Sequence, residues 1–524
     1  MTQALKLSAA FEHHAQCRPD VLLVDSELGT LRYGDAVDRV NAIINALEGL
    51  GLGPSSRFGV VARNRTETLL LLLAAQRGGA VIVPVNHRLS PSEMAWILED
   101  SGCEALVAES MFASALEPLL PDCVKPEGRI VMGGALPGWR DFDGWVDAAA
   151  PLPAHTLRDD SPERPYLQMY TSGTTGRPKG VVLNGRNGLA SSIAALIGFD
   201  VAVHPGERAY QGFPLFHIGG VFASLWLISR GATLLLRCDF DPRAVNAMMC
   251  AGEVAHATLV PAMIQACVGV DGASGDAEGF RNIFYGASPI NAPLLHAAHA
   301  RYGCDFSQVY GMTETHSTIA MLTAADHQRA LQGDNTALVA AAGRPVSGTT
   351  LRVVDPEGND VTPGTVGEVC VRGPQVMGGY WQRDDANAET FHGNFLRTGD
   401  AGYVDAEGYL YLVDRLKDII VSGGENVASK EVEAVLMAHP GVADVAVIGV
   451  PDERWGEAVK AVVVMRDGAV TDDALITHCR AHLGGFKVPK SIDRTDALPR
   501  NGAGKVLKTV LREPYWQGVT RRVS

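Results

Sequence analysis

Between Phe58 and Ala108 the chain alternates short β-branched runs with helical stretches, a rhythm that restricts the fold sharply. Phe58-Gly-Val-Val-Ala62 reads as a strand, Thr66 to Gln76 as a helix, and Ala80-Val-Ile-Val-Pro-Val85 as a second strand. Ser90-Pro91-Ser92-Glu93 has the pattern of a capping box with proline at the first helical position, opening a helix toward Asp100. Ala105-Leu-Val-Ala108 is the next strand. Parallel strands joined by crossover helices need cover on both faces, so this alternation predicts an α/β fold with a sheet between helical layers.

The pattern resumes at Leu167 and runs past Leu236. After Gly343 the texture changes to short strands punctuated by Asp355-Pro-Glu-Gly358, Pro363-Gly364 and Asp405-Ala-Glu-Gly408, which predicts a smaller antiparallel region. Beyond Asp418 a helix (Ser429 to His439), strands (Val442 to Val450, Lys460 to Met465) and a second helix (Asp473 to Leu483) are enough for a compact α+β domain. No low-complexity linker separates the two parts, so movement at Arg415 to Asp418 would be that of a hinge of a few residues.

At 524 residues, more than one hydrophobic core is expected. Apolar residues at 46% and charged residues at 20% suit a globular chain and argue against disorder. The formal charge of -14 argues against a general nucleic-acid binder, so an anionic ligand must be met by local cations and backbone amides. The 9 cysteines are scattered without a C-x-x-C pair, which fits reduced thiols better than disulfides or a zinc site. The start of the chain shows no signal core, Leu69 to Ala75 is too short to span a bilayer, and Arg521-Arg-Val-Ser524 is no targeting signal. A cytoplasmic protein without a transmembrane segment is expected.

The segment Tyr170-Thr-Ser-Gly-Thr-Thr-Gly-Arg-Pro-Lys179-Gly180 follows a strand. Its glycines let backbone approach phosphate oxygens, and its hydroxyls and amides donate to them. It is not a Walker A loop, because Pro178-Lys179-Gly180 stands where Gly-Lys-Ser/Thr is required. As a whole it closely resembles the phosphate-binding signature of the adenylate-forming (ANL) superfamily, on its acyl-CoA synthetase and fatty-acid–CoA ligase branch.

Further motifs follow in the order this resemblance requires: Phe213-Pro-Leu-Phe-His217-Ile-Gly-Gly220, Gly286-Ala-Ser-Pro289, Tyr310-Gly-Met-Thr-Glu314, Thr398-Gly-Asp400, Asp414-Arg415-Leu-Lys417-Asp418, Ser422-Gly-Gly424-Glu-Asn-Val427 and Pro499-Arg-Asn-Gly-Ala-Gly504-Lys505. Two local departures occur, Asn184-Gly185 where relatives often carry Thr-His, and Ala428-Ser429-Lys430 after the glycine pair.

The resemblance implies a large N-terminal domain (residues 1–414) of layered α/β subdomains with a small β-rich subdomain. A hinge (415–418) and a small mobile α+β domain (419–524) would follow. It implies that Lys505, His217, Thr313 and Glu314 are catalytic. ATP or AMP would be held by Thr171, Ser172, Gly173, Thr174, Thr175, Gly176, Lys179, Gly286, Ala287, Ser288, Tyr310, Gly311, Met312, Asp400 and Arg415. Thr171 and Glu314 would hold Mg²⁺, Lys417 would be the hinge residue, and Gly423 and Gly424 would pass the pantetheine of CoA. The acyl pocket would be lined by His217, Gly220, Val221, Tyr285, Gly311 and His316, with His316 at its rim.

The implied chemistry is activation of a carboxylic acid as acyl-AMP with release of pyrophosphate, then transfer to CoA with release of AMP. A medium- or long-chain fatty acid is the first expectation. An aromatic acid, or loading of an acyl carrier protein, is the alternative. Partners are thus the acid, ATP and CoA, with no nucleic acid. A homodimer is compatible with the sequence.

Overall fold

A computed structural model describes residues 8–149, 161–171, 177–272, 279–422, 425–452, 454–466, 470–500 and 506–517. The chain forms two compact units, Met1–Thr350 with Val371–Leu396, and Leu351–Cys370 with Arg397–Ser524.

The first unit contains the expected parallel architecture. Strands Arg57–Val61, Val81–Pro84, Cys103–Glu109 and Arg129–Met132 lie parallel in one sheet, with helices Thr66–Arg77 and Pro91–Ser101 as crossovers. The capping box forms: Glu93 N donates to Ser90 Oγ, and the Ser90 backbone N–H donates to Glu93 Oε2 at 2.8 Å. Leu69 to Ala75 are no more than 3% exposed, so this apolar run is a helix buried on all sides. Among the described residues, no helix is long and apolar enough to cross a membrane.

A second sheet in this unit carries the parallel strands Asp305–Tyr310, Asn282–Gly286, His256–Leu259, Arg208–Gln211, Thr233–Leu236 and Leu22–Ser26, in that spatial order. Antiparallel strands Gly29–Arg32 and Ala320–Leu322 flank them. Open parallel sheets bind ligands at the carboxyl ends of their strands. Three of the motif loops begin there: Gly212–His217, Ala287–Pro289 and Gly311–Thr315 follow three of these strands directly.

In the second unit, strands Thr350–Val354, Gly367–Arg372, Phe395–Val404 and Leu410–Arg415 are neighbours in sequence order. Their turns use Gly358, Gly364 and Gly408 at φ 87°, 86° and 84°, a left-handed backbone that glycine adopts without penalty. A further sheet places Gly456–Met465 between Val442–Asp452 and Ser491–Arg494, with helices Ser429–Met437 and Asp472–His482 packed through Val432, Leu436, Leu475 and Cys479. Residues 415–418 lie inside this unit. All 9 cysteines are free thiols, as expected.

Candidate adenylate-forming site

Strands Pro165–Thr171 and Lys179–Asn184 are antiparallel, and Thr171 pairs with Lys179, which closes the phosphate-loop motif at its base. Ser172 to Gly176 lie outside the described residues, as do Gly423, Gly424 and Lys505. The strand is pinned from behind. The Tyr170 hydroxyl donates to Asp100 Oδ2 at 2.7 Å, and Gln168 Oε1 accepts from Arg57 Nε at 2.7 Å.

Glu314 is the centre of a cluster at the Thr171 end of that strand. It sits in a single turn, Thr313–Thr315, and is 5% exposed, so it is no surface carboxylate at a helix start. Thr171 Oγ1 donates to Glu314 Oε1 at 3.4 Å. The Tyr380 hydroxyl donates to the same oxygen at 2.8 Å, and Lys179 Nζ lies 5.2 Å from the Tyr380 ring centroid. Met377 N donates to the Glu314 carbonyl at 2.8 Å, and Trp381 N to the Gly180 carbonyl at 2.7 Å. Tyr380 was not singled out by sequence reasoning. Its signal is the aromatic pair Tyr380-Trp381 directly behind two glycines, a place where backbone can approach closely.

The backbone is strained where the motifs predict contact with a ligand. Among the described residues, Ala287, His316, Ser317 and Gln382 are the non-glycines in the left-handed region, at φ 67°, 45°, 74° and 49°. Ala287 belongs to the Gly286–Pro289 loop, His316 and Ser317 follow the Glu314 turn, and Gln382 follows Tyr380. Each such residue costs on the order of 1–2 kcal/mol, and such strain gathers at functional sites.

His217 is the N-cap residue of helix Ile218–Ser229 and is half-buried. Its loop is clamped by Asn64, whose Oδ1 accepts from Leu215 N at 2.9 Å and whose Nδ2 donates to the Phe213 carbonyl at 3.1 Å. Asn64 is a second residue the sequence did not reveal, since an asparagine in a loop carries no signal of a partner some 150 positions away.

The expected acyl-pocket residues divide. A Cβ added to Gly220 would lie 2.1 Å from the Pro214 carbonyl oxygen, so this glycine permits a backbone contact and opens no space. Val221 is fully buried. Tyr285 faces the other side of its sheet, because its hydroxyl meets Gln308 Oε1 at 2.9 Å and His327 Nε2 at 2.8 Å. Strand alternation therefore turns its neighbour Phe284 toward helix Ile218–Ser229 instead, where it packs 4.7 Å from Trp226. His316 is not a rim residue. It is fully buried, its Nε2 lies 2.6 Å from the Tyr166 hydroxyl, and burial lowers its pKa to about 4, leaving it neutral.

In the second unit Asp400 and Arg415 are register partners on adjacent strands, and Arg415 Nε lies 2.7 Å from Asp400 Oδ1. Arg415 Nη1 also donates to the Thr398 carbonyl at 3.1 Å, and the Thr398 hydroxyl donates to the Val369 carbonyl at 2.7 Å. A carboxylate fixed this way is suited to accept sugar hydroxyls. Lys417 follows, its pKa lowered by burial and by Arg415 and Arg512 against the opposing pull of Asp418. Arg512 donates to the Lys417 carbonyl at 2.8 Å and to Asp418 Oδ1 at 2.5 Å.

The two departures have structural roles. Asn184 caps helix Gly185–Gly198 reciprocally with Asn187, whose Nδ2 donates to the Pro374 and Val376 carbonyls at 2.9 and 2.8 Å. Asp414 Oδ2 accepts from both the backbone N (2.7 Å) and hydroxyl (2.5 Å) of Ser429. Lys508 reaches the Ser429 hydroxyl and pairs with Glu433 Oε1 at 2.7 Å.

The sequence profile of the AMP-binding enzyme family matches residues 11–381, and that of the AMP-binding enzyme C-terminal domain matches residues 431–505. The chain is 38% identical to the fatty acid–[acyl-carrier-protein] ligase ScoC of Streptomyces coeruleorubidus over 98% of this chain and 96% of that protein. It is 37% identical to a feruloyl-CoA synthase of Amycolatopsis sp over 93% and 94%. Among solved structures, the o-succinylbenzoate CoA synthetase (MenE) of Bacillus subtilis in complex with the acyl-adenylate intermediate OSB-AMP superposes with TM-score 0.83 at 29% identity, covering 96% of this chain and 97% of that one. With its motifs in order, its strained motif loops and matches along nearly its whole length, the chain belongs to the AMP-binding enzyme family, within the adenylate-forming superfamily.

Proposed function

We propose that the chain is a CoA ligase for a hydrophobic carboxylic acid, acting through an acyl-adenylate in the cytoplasm. The observation that carries the first half is the Glu314 cluster, in which a buried carboxylate, Thr171, Lys179 and Tyr380 converge beside the base of the phosphate-loop motif. A substrate carboxylate oxygen attacks the α-phosphorus of ATP, the bond to pyrophosphate breaks, and acyl-AMP remains. A thiol sulfur then attacks the acyl carbon and AMP leaves. Lys505 is the cation for the first step, Thr313 meets the α-phosphate, and Asp400 with Arg415 holds the ribose. Gly286 to Ser288 and Tyr310 to Met312 border the adenine, and Lys417 is the hinge between the two steps.

Thr171 and Glu314 are hard oxygen donors, which fits Mg²⁺ entering with ATP phosphates on one or two protein oxygens. The ion would neutralise phosphate charge. Tyr380 holds one carboxylate oxygen of Glu314 and so fixes which way the other faces. Tyr380→Phe is expected to raise the Mg²⁺ concentration for half-maximal ATP–pyrophosphate exchange about tenfold. A titration curve superimposable on that of the parent would remove Tyr380 from this role.

CoA as acceptor is supported by a patch on the second unit. Trp455 and Phe486 are 38% and 41% exposed, unusual for such large rings. Arg454 and Lys490 lie 4.6 and 5.9 Å from the Trp455 ring, and Lys487 lies 5.6 Å from Phe486. Aromatic faces interleaved with cations suit an adenine nucleotide with its phosphates. The carrier-protein reading is favoured by ScoC. Acid-dependent AMP release with CoA is expected to exceed that with a holo-carrier protein, and Trp455→Ala should raise the KM for CoA. Faster release with the carrier would reverse the assignment.

A further inference from the structure

Asp100 stands in the last turn of helix Pro91–Ser101, at the negative end of the helix dipole, with no basic residue in that turn. A carboxylate is locally unfavourable there, so the reason for it lies elsewhere in the fold. Its side chain is 13% exposed and both oxygens are engaged. Oδ2 accepts from the Tyr170 hydroxyl at 2.7 Å, and Oδ1 accepts from Arg383 Nη2. The Asp100 carbonyl accepts from Trp381 Nε1 at 3.2 Å. One residue thus ties together segments 70 and 281 positions further along the chain.

The tie is part of a closed ring of side chains. Arg57 is buried, with its guanidinium 3.5 Å from the Trp381 ring centroid and its Nε donating to Gln168 Oε1. Gln168 Nε2 in turn donates to the Tyr170 hydroxyl at 3.2 Å. Successive side chains of an extended segment point to opposite faces. Tyr170 is anchored in the ring, and Thr171, the next residue, meets Glu314. Trp381 is anchored in it too, and Tyr380, the residue before, meets the same Glu314 oxygen. That second segment is also extended: Tyr380 bridges to Val181, and Val182 N donates to the Gly379 carbonyl at 3.4 Å. Between Trp381 and Arg383 stands Gln382 at φ 49°, a conformation that persists only where its surroundings hold it. Both of its neighbours are held by Asp100.

We propose that Asp100 is a positioning residue for acid activation. From the far face it sets where Thr171 and Tyr380 stand around Glu314, and so how firmly Mg²⁺–ATP is taken up, without touching either ligand. This deepens the acid-ligase reading and rests on it.

The test is a double-mutant cycle between Asp100→Asn and Tyr380→Phe with two readouts. One is the Mg²⁺ concentration for half-maximal ATP–pyrophosphate exchange; the other is the Kd of Mg²⁺–ATP by titration calorimetry without acid. Asp100→Asn keeps the side chain's size but removes the charge that holds Arg383. It is expected to raise both values about tenfold, with the KM for the acid within about twofold of the parent. Added to Tyr380→Phe it should raise them by no more than about twofold further, because both changes act through Glu314, whereas independent effects would multiply to about a hundredfold. Arg383, at the more exposed end of the pair, offers a second route: Arg383→Gln should move both values in the same direction, and Arg383→Lys should restore most of the loss. Parental values in both Asp100→Asn and Arg383→Gln, even with a lowered Tm, or multiplied effects in the double variant, would overturn the proposal alone. No pyrophosphate exchange by the parent with any of a wide panel of carboxylic acids would overturn it together with the acid-ligase reading.

Discussion

Lys505→Ala is expected to reduce acid-dependent ATP–pyrophosphate exchange by about a hundred- to a thousandfold, while thioester formation from supplied acyl-AMP stays close to that of the parent chain. The physical reason is the asymmetry of the two half-reactions. The first brings a carboxylate to a phosphorus already surrounded by negative oxygens, and only a cation delivered to that point lowers the barrier. The second expels AMP from a mixed anhydride, with less charge to offset. Equal loss of both steps would mean that one arrangement of the C-terminal residues serves both. Lys508 is the control. It is held by Glu433 and Ser429, so Lys508→Ala should lower thermal stability and leave the two half-reactions in their parental proportion.

Gly311→Ala is expected to have a comparably large effect by a different route. A Cβ at this position would lie 2.1 Å from the Ser317 carbonyl oxygen and 2.3 Å from its carbon, both backbone atoms that cannot swing aside. The turn from Met312 to Ser317 must move. It is closed by bonds from Thr315 N (3.1 Å) and Ser317 N (3.0 Å) to the Met312 carbonyl, and it carries Thr313 and Glu314. Overpacking of this kind costs about 1–3 kcal/mol, and a displacement of about 1 Å at reacting groups costs on the order of a hundredfold in rate. Thermal melts should show a modest drop and exchange assays a severe one. A variant that melts lower but exchanges at the parental rate would show that this turn does not hold the reacting groups.

The sequence was informative where local chemistry decides structure. The Ser90–Glu93 cap, the alternating strands and helices and the turn glycines all depend on neighbours a few residues apart, and they formed as read. Three of the ordered motifs likewise depend on single connections, Gly212–His217, Ala287–Pro289 and Gly311–Thr315. Long-range pairings were not legible. Nothing near Tyr380 predicts that its hydroxyl meets Glu314, and nothing near Asn64 predicts the clamp on Phe213 and Leu215. Strand facing was the other loss. Phe284 and Tyr285 are adjacent and similar, so only the sheet's context decides which ring turns toward Trp226 and which toward His327. His316 misled for a related reason: a polar residue in a ligand loop reads as solvent-facing until Tyr166 is found beneath it.

The Asp414–Ser429 contact has a consequence for timing. Asp414 precedes Lys417 and Ser429 follows it, so any rotation about that residue must first part a carboxylate from two donors that are both fully buried. An ordinary pair of hydrogen bonds at the surface would be exchanged for water at little cost. Here both partners would leave burial, so the contact opposes the proposed rotation about Lys417 and would lengthen the interval between turns.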